Sequence, residues 1–172
     1  KIGGIENQAF TLSSLKSSED ENYLVNLDKS INNYPENFFK QDKFKNLKII
    51  SFTRKKGLYL SYLIFKNFKK YNNCNFIIYF NNINTLWVVL GARISGINNI
   101  AVCIQNSVKG VSLQIFISII LLRIFNLLNV KLVPCSKSIV EAYLKIDKNL
   151  KFCQVIPNCI NIKNFQKGIN LK

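Results

Sequence analysis

Phe76-Ile77-Ile78-Tyr79-Phe80-Asn81-Asn82 gives way to a helical run over residues 85–97, and that run leads into Ile100-Ala101-Val102-Cys103-Ile104. The two flanking segments are short, β-branched and aromatic, and apolar without alternation. Strands buried on both faces of a parallel sheet read this way. Parallel strands need a long crossover, and the run between them is long enough to be a helix. Outward from this unit the same rhythm repeats. Further strands are expected at residues 23–27, 47–53, 131–135 and 152–156, and further helices at 5–17, 57–70, 111–129 and 136–148. Strand–helix–strand alternation of this kind predicts an α/β fold with a right-handed, doubly wound, Rossmann-like parallel sheet. Residues 29–45 carry no clear period and contain Tyr34-Pro35, and they read as a loop with at most a short helix.

Local punctuation supports these boundaries. Asn84 or Thr85 is placed to cap the helix over 85–97, and Ser138-x-x-Glu141 fits a capping box. Gly96 is placed for a left-handed C-terminal cap. The apolar segment 111–130 approaches the length of a membrane span. It carries Gln114, Arg123, Asn126 and Asn129, however, and a central arginine is costly in hydrocarbon. A buried crossover helix is the favoured reading over an interfacial helix or a span.

A length of 172 residues suits one domain with a sizeable core, and 48% hydrophobic residues exclude a disordered or collagen-like chain. Lys+Arg 24 against Asp+Glu 9 gives a net charge of +15, nearly all of it from lysine. Three readings stand: the codon bias of an AT-rich genome, attraction to an anionic membrane surface, and nucleic acid. No nucleic-acid signature accompanies the charge, so no nucleic-acid partner is expected. If the lysines serve a membrane, Lys55, Lys56, Lys66, Lys69 and Lys70 should form one patch. With no histidine in the chain, His-based catalysis and His-ligated metals are excluded. Cys74, Cys103, Cys135, Cys153 and Cys159 form no CxxC pair, and three of them fall in apolar runs. They read as buried, inert thiols in a reducing compartment. The start Lys1-Ile2-Gly3-Gly4 lacks a signal peptide's apolar region. The absence of methionine suggests a piece of a longer protein.

Ligands of open α/β sheets bind beyond the carboxyl ends of the strands. The loops to watch therefore contain Gly3-Gly4, Arg54-Lys55-Lys56-Gly57, Asn81-Asn82, Gln105-Asn106-Ser107, Ser136 and Pro157-Asn158. Gly3-Gly4 ahead of a helix would let backbone N–H groups approach an anion, although the pair also suits a plain tight turn.

Several of these pieces together resemble family-4 retaining glycosyltransferases of the GT-B fold. Gly3-Gly4-Ile5-Glu6 looks like their Gly-Gly-x-Glu motif. The strand ending Tyr79-Phe80-Asn81-Asn82, with the helix through Gly91-Ala92-Arg93-Ile94-Ser95-Gly96, is similar to their His-x-His-Asn strand end and Ala-rich helix. Val133-Pro134-Cys135-Ser136 resembles a strand ending in Val-Ser. Val155-Ile156-Pro157-Asn158-Cys159-Ile160-Asn161, with Phe165 after it, is similar to Val-Ile-Pro-Asn-Gly-Val-Asp…Phe, the most specific of the four.

The resemblance implies the N-terminal, acceptor-side half of a two-domain enzyme. Residues 1–160 would form the domain, short of most of its first strand. Residues 161–172 would lead toward a missing C-terminal, donor-binding domain, so the isolated chain should be inactive. The implied activity is transfer of a sugar from a nucleotide-sugar donor to a glycan or lipid-linked acceptor, without metal or cofactor. The implied setting is cytoplasmic, peripheral at the inner face of the membrane, in polysaccharide or cell-envelope biosynthesis. Gln105 and Asn106 stand where many members place a histidine facing the reacting sugar, and they are the implied catalytic pair. Gly3, Gly4, Asn81, Asn82 and Ser136 are the implied substrate-binding residues. Tyr79 and Asn81 replace the family's two strand-end histidines. Neither Gln nor Asn titrates, so such a site works by positioning rather than by proton transfer. A rival from another class is a non-catalytic α/β module that binds anionic membranes or polymers.

Overall fold

The computed structural model describes residues 22–26, 47–52, 55–71, 74–80, 83–105 and 113–157. Among them the order is β1 (Asn22–Asn26), β2 (Leu47–Ser51), α1 (Gly57–Phe68), β3 (Asn75–Tyr79), α2 (Ile83–Ile94), β4 (Asn99–Ile104), α3 (Leu113–Leu127), β5 (Lys131–Pro134) and α4 (Lys137–Ile146). The protein is α/β, and among the described residues every strand pairing is parallel. The expected helix over residues 5–17 lies outside the described residues.

Hydrogen bonding sorts the strands into a pair, β1–β2, and a three-stranded sheet in the order β3–β4–β5. In the latter the spatial order follows the chain order, with α2 and α3 as the crossovers. Register aligns Ile78 with Val102 and Val102 with Leu132. These three share one face with Ile100, Ile104 and Pro134, and all six are buried. The opposite face is less covered: Tyr79, Ala101, Cys103 and Val133 are half-buried and Ile77 is 55% exposed. Phe52, just past β2, is buried in the same core as Leu60 and Ile64 of α1, Val88 and Val89 of α2, and Leu122 and Phe125 of α3.

Helices α1 and α2 pack at close range because Gly91 has no side chain. A Cβ there would lie 2.6 Å from the Ser61 carbonyl oxygen and 2.8 Å from the Ile64 Cβ. Across the same contact the Ser61 hydroxyl donates to the Trp87 carbonyl at 2.7 Å.

The ends of α2 and α3 share one device. Gly96 (φ 83°) follows α2 and Asn129 (φ 54°) follows α3, each in the left-handed region. Ile97 N–H bonds the Ala92 carbonyl and Gly96 N–H that of Arg93. Val130 N–H bonds Phe125 and Asn129 N–H bonds Asn126 in the same pattern. Both are Schellman ends, with Gly in one and Asn in the other. Arg93 joins them: its guanidinium donates to the carbonyls of Ile97 and Asn98 and to those of Leu128 (2.6 Å) and Asn129 (2.9 Å). A cation here also opposes the negative ends of both helix dipoles.

The polar residues within 111–130 have structural work. Arg123 pairs with Asp147, and Asn126 both donates to and accepts from the Lys151 backbone at 2.9 Å. The helix itself spans 15 residues, and no helix among the described residues is long and apolar enough to cross a membrane.

Four expectations are corrected. Residues 152–156 do not form a strand. Cys153 N–H bonds the Leu132 carbonyl and Ile156 N–H bonds that of Pro134, so three residues step past two and the ladder slips. At the β5 edge they face, Pro134 has no N–H to return. Asn84 and Thr85 lie inside the first turn of α2 rather than ahead of it. Ser136, not Ser138, caps α4, because the chain leaves the extended conformation only after Ser136 (φ −156°). Cys153 is exposed, and Cys74, Cys103 and Cys135 are half-buried, so the thiols are less enclosed than their apolar neighbours suggest.

Candidate functional site

Because β3, β4 and β5 run parallel, their carboxyl ends share one edge of the sheet. The chain continues the ladder past each strand end: Phe80 N–H bonds the Cys103 carbonyl at 2.9 Å and Cys135 N–H bonds that of Ile104 at 3.0 Å. Gln105 and Ser136 are therefore set at this edge by the sheet itself. The Cys135 thiol approaches the Gln105 carbonyl oxygen at 3.8 Å, so the residue before Ser136 touches Gln105 directly. The structure thus brings two predicted site residues, Gln105 and Ser136, to one edge. Gly3, Gly4, Asn81, Asn82 and Asn106 lie outside the described residues.

The amino ends of α2 and α4 follow β3 and β5 at the same edge. Helix amino ends turn unpaired N–H groups and partial positive charge outward, which favours anionic or hydroxyl-rich ligands. At α4 one of these groups is already engaged, since Ile139 N–H donates to the Ser136 hydroxyl at 3.4 Å. That hydroxyl also lies 2.9 Å from the Ser138 hydroxyl, giving a pair of oxygens at the helix start. No acidic residue occurs anywhere in residues 43–140, so nothing in that span offsets the positive ends.

One residue back from the edge, Tyr79, Cys103 and Val133 form a row across the less covered face. Burial, followed by the neighbouring Cys135, pushes the Cys103 thiol above its ordinary range. It stays protonated near neutral pH and makes a poor nucleophile. Among the described residues no group of His, Cys, Asp and Glu could hold a metal ion. Besides the Cys135 thiol, the described part of the edge offers amide, hydroxyl and backbone hydrogen-bonding groups, which can orient a ligand.

Sequence reading missed the Cys135–Gln105 contact, for which the only signal was that each ends a neighbouring apolar run. No family model, curated protein sequence or solved structure matches this chain.

Proposed function

We propose that the chain is the acceptor-side half of a GT-B glycosyltransferase, a doubly wound, Rossmann-like domain that presents an acceptor to a nucleotide sugar held by a second domain. The supporting observation is that Gln105 and Ser136 follow neighbouring strands at the carboxyl edge of a parallel α/β sheet, where ligands of such sheets bind. Gln105 with Asn106 would hold sugar hydroxyls through contacts that tighten in the transition state. Ser136 and Asn81-Asn82 would line the acceptor's path, and Gly3-Gly4 would meet the diphosphate or acceptor with backbone N–H groups.

Sugar transfer by the intact two-domain protein tests this reading. Gln105→Ala should raise the barrier by on the order of 2–4 kcal/mol, as loss of an oxyanion-type contact does, while donor binding persists. A variant that folds and turns over like the parent removes Gln105 from the site. Transfer by the isolated 172-residue chain would contradict the half-cleft reading.

A further inference from the structure

Helix α1 has an outer face that joins exposed apolar and aromatic side chains to lysines. Helix α3 also exposes apolar residues (Leu113, Phe116, Ile117, Ile120 and Leu127), but it carries no lysine, and its one basic residue, Arg123, is paired with Asp147. The inner face of α1, Leu60, Ser61, Ile64 and Phe68, is buried. At 100° per residue, Leu58, Tyr59, Tyr62 and Lys66 fall together on the opposite side, with Leu58 76% and both tyrosines 53% exposed. The tyrosine rings stack at 6.4 Å between centroids, and the Lys55 ammonium lies 5.2 Å over the Tyr59 ring. Lys69 and Lys70 extend the face just beyond the helix, and Lys56 flanks its start; all are exposed. The nearest acidic residues in sequence are Asp42 and Glu141, so no carboxylate within residues 43–140 neutralises this face.

We propose that this face of α1 docks the protein onto the surface of an anionic lipid bilayer. The inference is independent of the enzymatic reading. Charge complementarity selects an anionic partner, and the apolar content selects lipid over a solvated polymer. An exposed leucine beside two tyrosine rings gains by entering the boundary between headgroups and acyl chains, where amphipathic rings favour residence. The lysines, on flexible stems, keep their ammonium groups among the phosphates. The helix, about 18 Å long, would lie flat rather than insert.

Co-sedimentation of the full chain with vesicles tests the proposal. Binding should require phosphatidylglycerol in a phosphatidylcholine background and weaken as salt shortens the screening length. Each lysine at the surface contributes about fivefold in partitioning (about 1 kcal/mol), so Lys55→Glu/Lys66→Glu should weaken binding at least 25-fold. Lys131→Glu/Lys145→Glu makes the same change in net charge at exposed sites elsewhere and should alter binding less than fivefold. Tyr59→Ser/Tyr62→Ser should remove the fraction of binding that survives high salt. Circular dichroism on each variant separates loss of the face from loss of the fold. Equal binding to neutral and anionic vesicles overturns the proposal, as does equal loss in the two charge-reversal variants. Binding of RNA or heparin without binding of vesicles assigns the face to a polyanion instead and also overturns it.

Discussion

The two edges of the β3–β4–β5 sheet are built differently. At the amino edge, two helix ends close on left-handed Gly96 and Asn129, one guanidinium reaches four carbonyls, and Asn126 holds the Lys151 backbone with a pair of bonds. At the carboxyl edge the described side-chain contacts include a long thiol contact from Cys135 to Gln105 and a hydroxyl cap at Ser136, itself close to the Ser138 hydroxyl. The difference teaches a division of labour. Satisfied backbone groups and fixed helix ends make one edge the base of the scaffold, whereas the other is the edge at which ligands of open α/β sheets bind.

Substitutions that damage the base should cost stability, and those at the carboxyl edge should not. Gly91→Ala carries the largest expected effect, about 3 kcal/mol, because the added methyl meets the Ser61 backbone rather than a side chain that can turn aside. Chemical denaturation reads it, and a shift under 1 kcal/mol would mean that α1 and α2 separate easily. Arg93→Ala should cost about 2 kcal/mol by leaving the carbonyls of both helix ends to water. Arg93→Lys should recover only part of this, since an ammonium cannot span the two loops as a planar fork does. Asn126→Ala should cost about 1 kcal/mol and raise amide exchange at Lys151.

At the other edge, Ser136→Ala should cost roughly 0.5 kcal/mol for a long cap bond, and Gln105→Ala should stay within about 0.5 kcal/mol of the parent. Large losses at these two positions would erase the contrast between the edges.

The smallest effect is a pH dependence. The hydrogen bond from Arg123 first, and then that from Asn149 N–H, hold the Asp147 carboxyl below its ordinary value, against some opposition from burial. A depressed pKa means that the folded state favours the ionised form. The contribution is complete above the unfolded carboxyl's value near ~4 and fades as pH falls through the lower folded value. Asp147→Asn should flatten the acid limb of a stability–pH curve below about pH 4 and leave its slope near neutrality unchanged.

The base and the candidate edge were not equally legible in the sequence. Continuous apolar runs located β3, β4 and β5 to within a residue or so, because apolar side chains line both faces of these strands even where, as at Ile77, the less covered face leaves them exposed. Gly96 was readable as a helix end because only a residue tolerant of positive φ suits that position. Arg93 was not readable as a clamp, since two of the carbonyls it serves lie at Leu128 and Asn129 and meet it only through tertiary folding. The S-x-x-E pattern at Ser138 misled by two residues, because the cap is decided by where the chain turns out of β5 and not by the local pattern alone. At the candidate edge, sequence order placed Gln105 and Ser136 at strand ends, but nothing in it announced that Cys135 would touch Gln105.

Pro134 has a consequence for assembly. An exposed strand edge with alternating donors and acceptors is a template on which another chain can add a strand. Along β5, the outward positions are those whose carbonyls receive Cys153 and Ile156, and the second of them carries a ring nitrogen with no hydrogen to give. The Pro134 carbonyl already accepts from Ile156, and no donor stands beside it. An incoming strand that displaced this segment would find an acceptor but no donor there, and hydrogen-bonded growth would stall after one register step. The chain's own segment 151–157 covers this flank loosely and without forming a strand. Pro134→Val would restore the donor, and it should let that segment zip into a regular strand or, at high concentration, let neighbouring molecules pair edge to edge.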